Sequence, residues 1–190
     1  MNSKLVLWSI TVGLGGFLFG LDTAVISGAE QDIQTLWQLD AWSHGLAIAM
    51  ALYGTVIGAM FGGVPADRYG RKKTLLAIGL LFFFSAMGTA VAQDVYTFMF
   101  FRFIGGLSIG ASSVVAPVYI SEIAPPKYRG RMGISFQMNI VLGILVAYVS
   151  NYLLEGGAND WRWMLGIVAV PALFFSVMML FTPETPRWLL

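Results

Sequence analysis

Six long runs of apolar residues, separated by short polar segments, dominate the pattern of this chain. A helix needs about 20 mostly apolar residues to cross the hydrocarbon core of a bilayer, and each run is close to that length. Membrane-spanning β-strands would alternate apolar and polar residues, and the runs show no such period of two. The pattern therefore predicts six transmembrane helices, at about residues 5–29, 44–66, 74–92, 96–120, 132–154 and 161–181.

Composition supports a chain embedded in the membrane and excludes several kinds of chemistry. Of its 190 residues, 57% are hydrophobic and only 11% are charged, whereas a soluble domain has about 25% charged residues. The net charge of +1 indicates no nucleic-acid partner. The chain has no cysteine, which rules out disulfides and thiolate metal ligands. We interpret the single histidine, His44, as a helix-start residue near water, and we predict no metal and no cofactor.

Cationic residues alternate between the loops and indicate an orientation. Nine of the eleven Lys and Arg residues lie around Lys4, residues 68–73, residues 127–131 and Arg187. The intervening loops are acidic, with Arg162 as their only cation. Loops rich in Lys and Arg stay on the cytoplasmic side of a membrane. The pattern predicts a multi-pass protein of the cell's inner (plasma) membrane with both termini in the cytoplasm.

Two charged residues, Asp22 and Arg102, lie inside predicted spans. A charge at membrane depth costs at least about 2.5 kcal/mol, so it usually faces a partner or a water-filled cavity. Asp22 precedes Glu30 by eight residues, and Arg102 follows Asp94 by eight. At 1.5 Å per residue, both lie about 12 Å below the outer boundary. Opposite charges at equal depth can form an ion pair if the two helices are neighbours.

Two interpretations of this ion pair stay open. A static pair would fix the packing of the two helices. A titratable pair would couple a conformational change to a proton, because burial raises the pKa of a carboxyl group and a neighbouring arginine lowers it. Arginine stays protonated, so separation of the pair would lead Asp22 to take up the proton. We hypothesise that Asp22 is a coupling site.

Glycine spacing predicts close helix packing, and two prolines predict bends. Glycines recur at intervals of four in three of the runs, which produces small-residue faces along which helix backbones approach closely. Pro117 and Pro171 lie inside spans and would bend the fourth and sixth helices. We interpret the glycine faces as packing surfaces: Gly16 and Gly20, then Gly54, Gly58 and Gly62, then Gly106 and Gly110.

Several motifs resemble a known transporter family. The stretch Gly63-x-x-x-Asp67-Arg68-x-Gly70-Arg71-Lys72 is similar to the loop 2–3 signature of the major facilitator superfamily. The terminal Pro-Glu-Thr-Pro-Arg-Trp-Leu, residues 183–189, is more specific to its sugar porter family. Other segments resemble that family in the same order along the chain: residues 16–28, 102–106, 117–122, 129–130 and 161–164.

The resemblance implies an all-α membrane protein that forms one half of a major facilitator fold. Residues 1–190 would be the N-terminal bundle of six transmembrane helices, arranged as a 3+3 repeat, with the C-terminal half absent. A lone bundle would leave Asp22, Arg102 and Gln137 facing lipid. We therefore expect a second bundle, either another copy of the chain or a separately made C-terminal half; a cloned fragment is equally consistent with the sequence.

The resemblance also implies roles for residues in the spans. Asp22 and Arg102 match the proton-coupling pair of bacterial sugar–proton symporters, and facilitative glucose carriers typically have Asn at the first position. Gln137 matches a glutamine that hydrogen-bonds sugar hydroxyls. An amide both donates and accepts, as sugars require, although an interhelical packing bond is the alternative. The resemblance implies three pocket-lining residues, Phe19, Ile140 and Ile144.

Two positions depart from the family pattern and leave the sugar open. Leu21 replaces a common aromatic residue, and Ile144 replaces a second glutamine found in the xylose symporter.

Charged residues at the cytoplasmic ends of the spans resemble a salt-bridge network that latches the outward-facing state of the family. Exposed ion pairs contribute only about 0–1 kcal/mol each, so a network would be needed to bias the equilibrium. We interpret Lys72 and Lys73 as topology-setting charges. The resemblance implies a network of Asp67, Arg68, Arg71, Glu122, Arg129, Glu184 and Arg187.

These expectations converge on membrane transport of a monosaccharide by proton symport, carried out by a half-transporter that needs a second bundle. The expected partners are the sugar, a proton, the lipid bilayer and that second bundle. Two alternatives stay open: a non-transporting sugar-binding or interaction module, and an isolated N-terminal domain. A membrane enzyme is disfavoured, because no carboxylate pair, His cluster or Ser/His arrangement converges in the spans.

Overall fold

The computed structural model describes residues 3–157 and 159–189, and within them the side chains of residues 7–157, 159–186 and 188. This part of the chain folds into helices joined by short turns. The helices are α1 (Ser3–Leu36), α2 (Ala41–Phe61), α3 (Gly63–Tyr69), α4 (Arg71–Val91), α5 (Val95–Ile123), α6 (Arg129–Leu154), α7 (Asp160–Gly166), α8 (Ala169–Leu180) and α9 (Pro186–Leu189).

Six segments of the described chain are long and apolar enough to cross a membrane, which confirms the predicted number of spans. The first five lie in α1, α2, α4, α5 and α6, and the sixth comprises α7 and α8 together. Their bounds are Leu7–Leu36, Ala41–Phe61, Arg71–Val91, Val95–Ile123, Arg129–Leu154 and Asp160–Leu180.

The ends of two spans differ from the predicted bounds. α1 runs to Leu36 rather than ending near residue 29. The acidic residues after Ala29 interrupt the apolar run, but Ala29 and Ile33 are fully buried one turn apart and continue the packed face of the helix. α2 ends at Phe61 instead of continuing to residue 66, because Pro65 has no N–H to donate to the Phe61 carbonyl, and the chain continues as the separate short helix α3.

The two prolines inside spans have different effects. The sixth span breaks into α7 and α8 around Ile167, four residues before Pro171. A proline ring clashes with the carbonyl of the residue four positions earlier and has no N–H to donate to it, which accounts for the break. α5 instead continues through Pro117 without interruption. The predicted bend therefore coincides with a break in the sixth span, whereas α5 stays a single helix.

The helices form two pairs that are related by the internal repeat. α1 packs along α6, and α2 packs along α5. α4 packs on α5 and α8, while α7 and α8 pack on α1 and α4. The contacts between the first three spans and the second three are therefore matched in pairs, as expected for the 3+3 inverted repeats of a major facilitator half. α1 and α5 are the most buried of the long spans, and α2 and α6 are the least buried.

Glycines sit where the paired helices come closest. A Cβ at Gly106 would overlap the Ala51 carbonyl of α2, and one at Gly110 would overlap the Thr55 carbonyl. In the other pair, Gly20 of α1 lies against the Ile140 carbonyl of α6 in the same way. The small-residue faces therefore let the backbones of each pair touch. This close approach fixes the positions of α1 and α5.

Candidate functional site

An ion pair joins the two central helices inside the bundle. Nη1 of Arg102, on α5, donates to Oδ1 of Asp22, on α1, over 2.9 Å. Asp22 is 7% exposed and Arg102 is 5% exposed, so water reaches very little of either residue. The depth argument from the sequence placed these two residues level with each other, and the structure brings them into contact.

The ion pair is incompletely satisfied. Oδ2 of Asp22 and Nε of Arg102 are buried and have no hydrogen-bond partner among the described residues. A buried polar atom without a partner costs about 1–3 kcal/mol, and more when the group is charged. The pair therefore retains one free acceptor and one free donor at the centre of the bundle.

The N-terminal end of α5 is fixed by a helix cap two turns before Arg102. Asp94 accepts hydrogen bonds from the Thr97 backbone N–H at 2.8 Å and from the Thr97 hydroxyl at 2.7 Å. These bonds, the backbone one first, hold the pKa of the Asp94 carboxyl below its usual range. The cap satisfies one of the free N–H groups at the start of the helix, so it helps to fix where α5 begins.

The predicted sugar-binding residues cluster near the crossing of α1 and α6. Ile140 lies at the crossing itself, with its carbonyl against Gly20. Phe19, next to Gly20 along α1, is partly buried, as are Ile140 and Ile144. Gln137, one turn before Ile140, is exposed and makes no hydrogen bond to any described residue. The structure therefore brings these positions to one region of the bundle.

A second amide on α6, Asn139, lies against α1 and bonds within its own helix. Nδ2 of Asn139 donates to the Ser135 carbonyl at 2.8 Å. The same amide lies beside Gly13 of α1, where an added Cβ would be only 2.9 Å from Nδ2. Among the described residues, Asn139 thus packs against α1 without bonding to it, and the α6 amide that donates to α1 is Asn151, whose Nδ2 lies 3.0 Å from the Val25 carbonyl.

At the other end of the bundle, Arg71 is the centre of the charged residues. Its Nη2 contacts Oδ1 of Asp67 at 2.8 Å and Oε1 of Glu122 at 3.2 Å, while Nη1 donates to the Ala66 carbonyl at 3.1 Å. Asp67 and Glu122 lie on α3 and α5, so the guanidinium at the start of α4 links three helices. Asp67 is largely exposed, whereas the Glu122 side chain is only 5% exposed.

Glu184 acts as a helix cap rather than as a member of the ion-pair network. Its Oε1 and Oε2 accept from the Lys72 backbone N–H at 3.0 and 3.2 Å. This geometry satisfies the first turn of α4, where a carboxylate is also favoured by the helix dipole. The Lys72 ammonium donates in turn to the Leu180 carbonyl at 2.9 Å. The end of the sixth span is thereby tied to the start of α4.

The structure does not bring the other predicted cations into the network. Arg68 lies over the ring of Tyr69, at 5.5 Å, and Arg129 is exposed. Neither forms an ion pair with a described residue. The side chain of Arg187 lies outside the described residues.

Two aromatic residues in the motifs have roles that the sequence interpretation did not assign. The Tyr119 hydroxyl donates to the Pro183 carbonyl at 2.7 Å, and Nε1 of Trp188 donates to the Asp67 carbonyl at 3.0 Å. Both residues attach the terminal 183–189 segment to the bundle. The spacing of Tyr119 and Glu122, three apart on one helix face, is the only signal that could have placed Tyr119 beside the network.

A metal centre is not indicated in the part of the chain that the structure describes. No group of three or more His, Cys, Asp or Glu residues among these residues could hold a metal ion.

Comparisons with known proteins identify the family. A family model described as "Sugar (and other) transporter" matches residues 8–190. A glucose transport protein of Synechocystis is 42% identical, over 99% of this chain and 43% of that protein. A D-xylose transporter of Levilactobacillus brevis is also 42% identical, over 93% of this chain and 38% of that protein.

A solved structure extends the agreement to three dimensions. The proton:xylose symporter XylE of E. coli, bound to 6-bromo-6-deoxy-D-glucose, superposes with a TM-score of 0.92 and 34% identity. The match covers 100% of this chain and 47% of that protein, so the chain spans less than half the length of these relatives. Together with the six-helix bundle, these matches establish that the chain belongs to the sugar porter family of the major facilitator superfamily and corresponds to its N-terminal half.

Proposed function

We propose that this bundle works as the N-terminal half of a transporter that moves a monosaccharide across the plasma membrane together with a proton. The observation that carries the proposal is the buried, incompletely satisfied pair of Asp22 and Arg102. The names of the similar proteins, which include glucose and xylose transporters and a proton:xylose symporter, support the same class of substrate.

The pair is better suited to coupling than to packing. Replacing a buried ion pair by apolar side chains of similar volume often costs nothing, so packing alone does not require one. Arginine keeps its charge. When a conformational change draws Arg102 away, an ionised Asp22 would be left as an unpaired buried charge, and protonation removes that cost. Re-forming the pair releases the proton, so that each transport cycle carries one proton at Asp22.

Gln137 is the sugar-recognising group in this proposal. Its amide is exposed and free of intramolecular hydrogen bonds, and an amide can both donate to and accept from a sugar hydroxyl. Phe19, Ile140 and Ile144 supply the partly buried apolar surface beside it. Ligand sites commonly combine such apolar walls with a few well-placed polar groups.

We propose that a second six-helix bundle covers this side of the molecule. α6 exposes most of its surface, and Gln137 on α6 would lie in lipid if nothing covered it. A polar amide in hydrocarbon without a partner is costly. Either a C-terminal half of a longer chain or a second copy would supply the missing wall. Native mass measurement in nanodiscs tests this, because a stable monomer of 190 residues that binds sugar would contradict it.

We propose that the cluster of Arg71, Asp67 and Glu122 is the latch on the cytoplasmic side. In this proposal both termini of the chain lie in the cytoplasm. Arg71 contacts residues on two other helices, α3 and α5. The ion pairs can therefore hold the ends of these helices together in one state and let them separate in another. The dense cationic loop after α2 supports this orientation. Glu122→Gln should shift the balance between outward- and inward-facing states, as measured by accessibility of a reporter cysteine on α2, while Glu155→Gln serves as an outer-face control.

The experiment for the central proposal is sugar uptake into proteoliposomes of the transporter that contains this bundle. Asp22→Asn should abolish accumulation driven by a proton gradient and preserve sugar exchange between the two sides. Asp32→Asn, a matched change on the exposed outer part of the same helix, should leave accumulation intact. Accumulation that survives in Asp22→Asn would refute coupling at this residue, and sugar binding without any exchange would favour a non-transporting module.

A further inference from the structure

An apolar groove lies on the side of the bundle, outside the ion pair and the proposed sugar-binding region. It has a volume of about 590 Å³ and runs between α2 and α4, both of which pack on α5. Ile57 and Phe61 form one wall, Ala77 and Leu81 form the other, and Leu107 and Ala111 form the floor. Because Ile57, Phe61 and Leu81 are exposed, the groove is open to the surroundings of the bundle.

The interior of the groove offers no free hydrogen-bond donor to a sugar. The two hydroxyl groups along it are already engaged within their own helices. Thr74 donates to the Gly70 carbonyl at 2.8 Å, and Ser108 donates to the Ile104 carbonyl at 3.1 Å. A polar ligand would therefore lose hydrogen bonds to water on entering, whereas a hydrocarbon chain would lose none.

The length of the groove matches one leaflet of a bilayer. Along α4 it extends from Lys73 to Leu81, eight residues apart. At 1.5 Å per residue this is about 12 Å, and half of a hydrocarbon core of about 30 Å is about 15 Å. The groove thus begins at the membrane surface, where the loop cations are, and ends near the middle of the bilayer.

Lys73 stands at the mouth of the groove without an acidic partner. Its neighbours in the loop are engaged elsewhere, since Arg71 pairs with Asp67 and Glu122, and the Lys72 ammonium donates to the end of α8. Lys73 is exposed, lines the groove and forms no ion pair with a described residue. Its positive charge is therefore available to a ligand.

A second cation reinforces the charge at this mouth. The ring of Tyr69 lines the groove, and the guanidinium of Arg68 lies 5.5 Å from the centre of that ring. Arg68 also forms no ion pair with a described residue. The surface end of the groove thus carries two uncompensated positive charges and a phenol, which is the chemistry that binds a phosphate group.

The internal repeat supplies a comparison within the same molecule. A second groove of about 550 Å³ lies between α6 and α8, with Phe17 and Leu21 of α1 at its floor. It occupies the corresponding place in the second three spans, nearer the opposite membrane surface. Its walls, which include Val146, Val170 and Phe174, carry no charged residue. The two grooves have similar size and apolar lining and differ in the cations at the mouth.

We propose that the groove between α2 and α4 binds an anionic phospholipid of the cytoplasmic leaflet, with one acyl chain along the groove and the phosphate against Lys73. The proposal rests on the cytoplasmic placement of the α2–α4 loop and does not depend on sugar transport. The cytoplasmic leaflet carries the anionic lipids that attract basic residues. The groove between α6 and α8, which we call the sister groove, has no charged residue in its walls. It accepts an acyl chain without selecting an anionic headgroup.

Native mass spectrometry of the detergent-solubilised chain, titrated with phosphatidylglycerol and with phosphatidylcholine of the same chain length, tests the headgroup. The chain should prefer phosphatidylglycerol. Lys73→Gln should weaken that binding about fivefold, as expected for one cation near an anionic lipid. Lys127→Gln is the matched control. Lys127 is also an exposed loop cation beside a tyrosine ring, but neither Lys127 nor that ring lines the groove. Equal weakening in the two variants, or no preference for phosphatidylglycerol, would overturn the proposal.

A second pair of variants tests the acyl chain. Ala77→Trp fills the groove and should reduce the number of bound phosphatidylglycerol molecules by one. Val170→Trp fills the sister groove and should leave the phosphatidylglycerol preference unchanged. Undiminished phosphatidylglycerol binding in a folded Ala77→Trp chain would show that no acyl chain occupies the groove. If that variant does not fold, the Lys73 and Lys127 comparison still decides the outcome.

Discussion

Asp22 and Arg102 neutralise each other inside the bundle, so that removing either partner leaves an unpaired buried charge. Breaking a buried pair in this way typically costs about 3–5 kcal/mol. Arg102→Gln should therefore lower the free energy of unfolding by about that amount, as measured by denaturant unfolding in detergent. In the double variant Asp22→Asn/Arg102→Gln, the free energy of unfolding should fall by much less than the sum of the decreases in the two single variants. Additive losses would mean that the two charges do not interact in the folded protein.

Gln137 and Asn139, two of the three amides of α6, have different surroundings and allow sugar binding and packing to be tested separately. Gln137 is exposed and unbonded, whereas Asn139 bonds to Ser135 beside α1. Gln137→Leu should weaken sugar binding about tenfold, the value of one lost hydrogen bond, and leave stability nearly unchanged. Isothermal titration with the transported sugar measures the first effect, and thermal unfolding measures the second.

Asn139→Leu is the matched control for this comparison. It should lower stability by about 1 kcal/mol through the lost hydrogen bond and leave sugar affinity close to that of the parent protein. A sugar affinity that falls with Asn139→Leu and not with Gln137→Leu would reverse the assignment of the two amides.

At the scale of helices, close packing depends on glycine at only some positions. Gly110→Ala would drive a methyl group into the Thr55 carbonyl of α2, and overpacking of this kind costs about 1–3 kcal/mol. Gly133→Ala, where nothing lies within 4 Å, should instead stabilise α6 by up to about 1 kcal/mol. The difference in melting temperature between the two variants is the measurement. Equal effects would mean that α2 and α5 do not touch at Gly110.

The Asp94 cap predicts a pH dependence for the N-terminal end of α5. Its hydrogen bonds to Thr97 lower the pKa of the carboxyl from the ordinary value of 3.8. A carboxyl with a lowered folded-state pKa stabilises the fold fully above its ordinary pKa, and the stabilisation is lost as the pH falls through the lowered value. The melting-temperature difference between the parent and Asp94→Ala should therefore be largest near neutral pH and shrink below pH 3.8. A difference that stays constant as the pH falls would contradict the cap.

Most of the helical architecture could be predicted from the sequence because spans of about 20 apolar residues have few alternatives in a membrane. The end of α1 could not, because Ile33 continues the helix by packing against other spans, a contact that a local count of acidic residues does not reveal. The break before Pro171 and the continuous helix at Pro117 show the same limit. Proline marks a position of weakness, and the neighbouring helices decide whether the helix breaks there.

At the scale of the whole molecule, a contact can be predicted from the sequence when each residue has few possible partners. Asp22 and Arg102 were the only charges at their depth, so their pairing could be predicted from residue spacing. The end of the bundle where α3 meets α4 carries many charged residues. The path of the backbone there decides which of them come into contact. Arg71 pairs with Asp67 and Glu122, while Glu184 caps α4 instead of joining an ion pair. No spacing rule distinguishes these outcomes before the turn between α3 and α4 is known.

Sugar-dependent proton movement measures the coupling claim most directly. Proteoliposomes of the transporter that contains this bundle are filled with a pH-sensitive dye, and sugar is added outside with no imposed gradient. We predict that sugar entry acidifies the interior for the parent protein, and that Asp22→Asn exchanges sugar with no change in internal pH. Sugar entry without acidification in the parent, or acidification that persists in Asp22→Asn, would contradict a proton-coupling role for the carboxylate paired with Arg102.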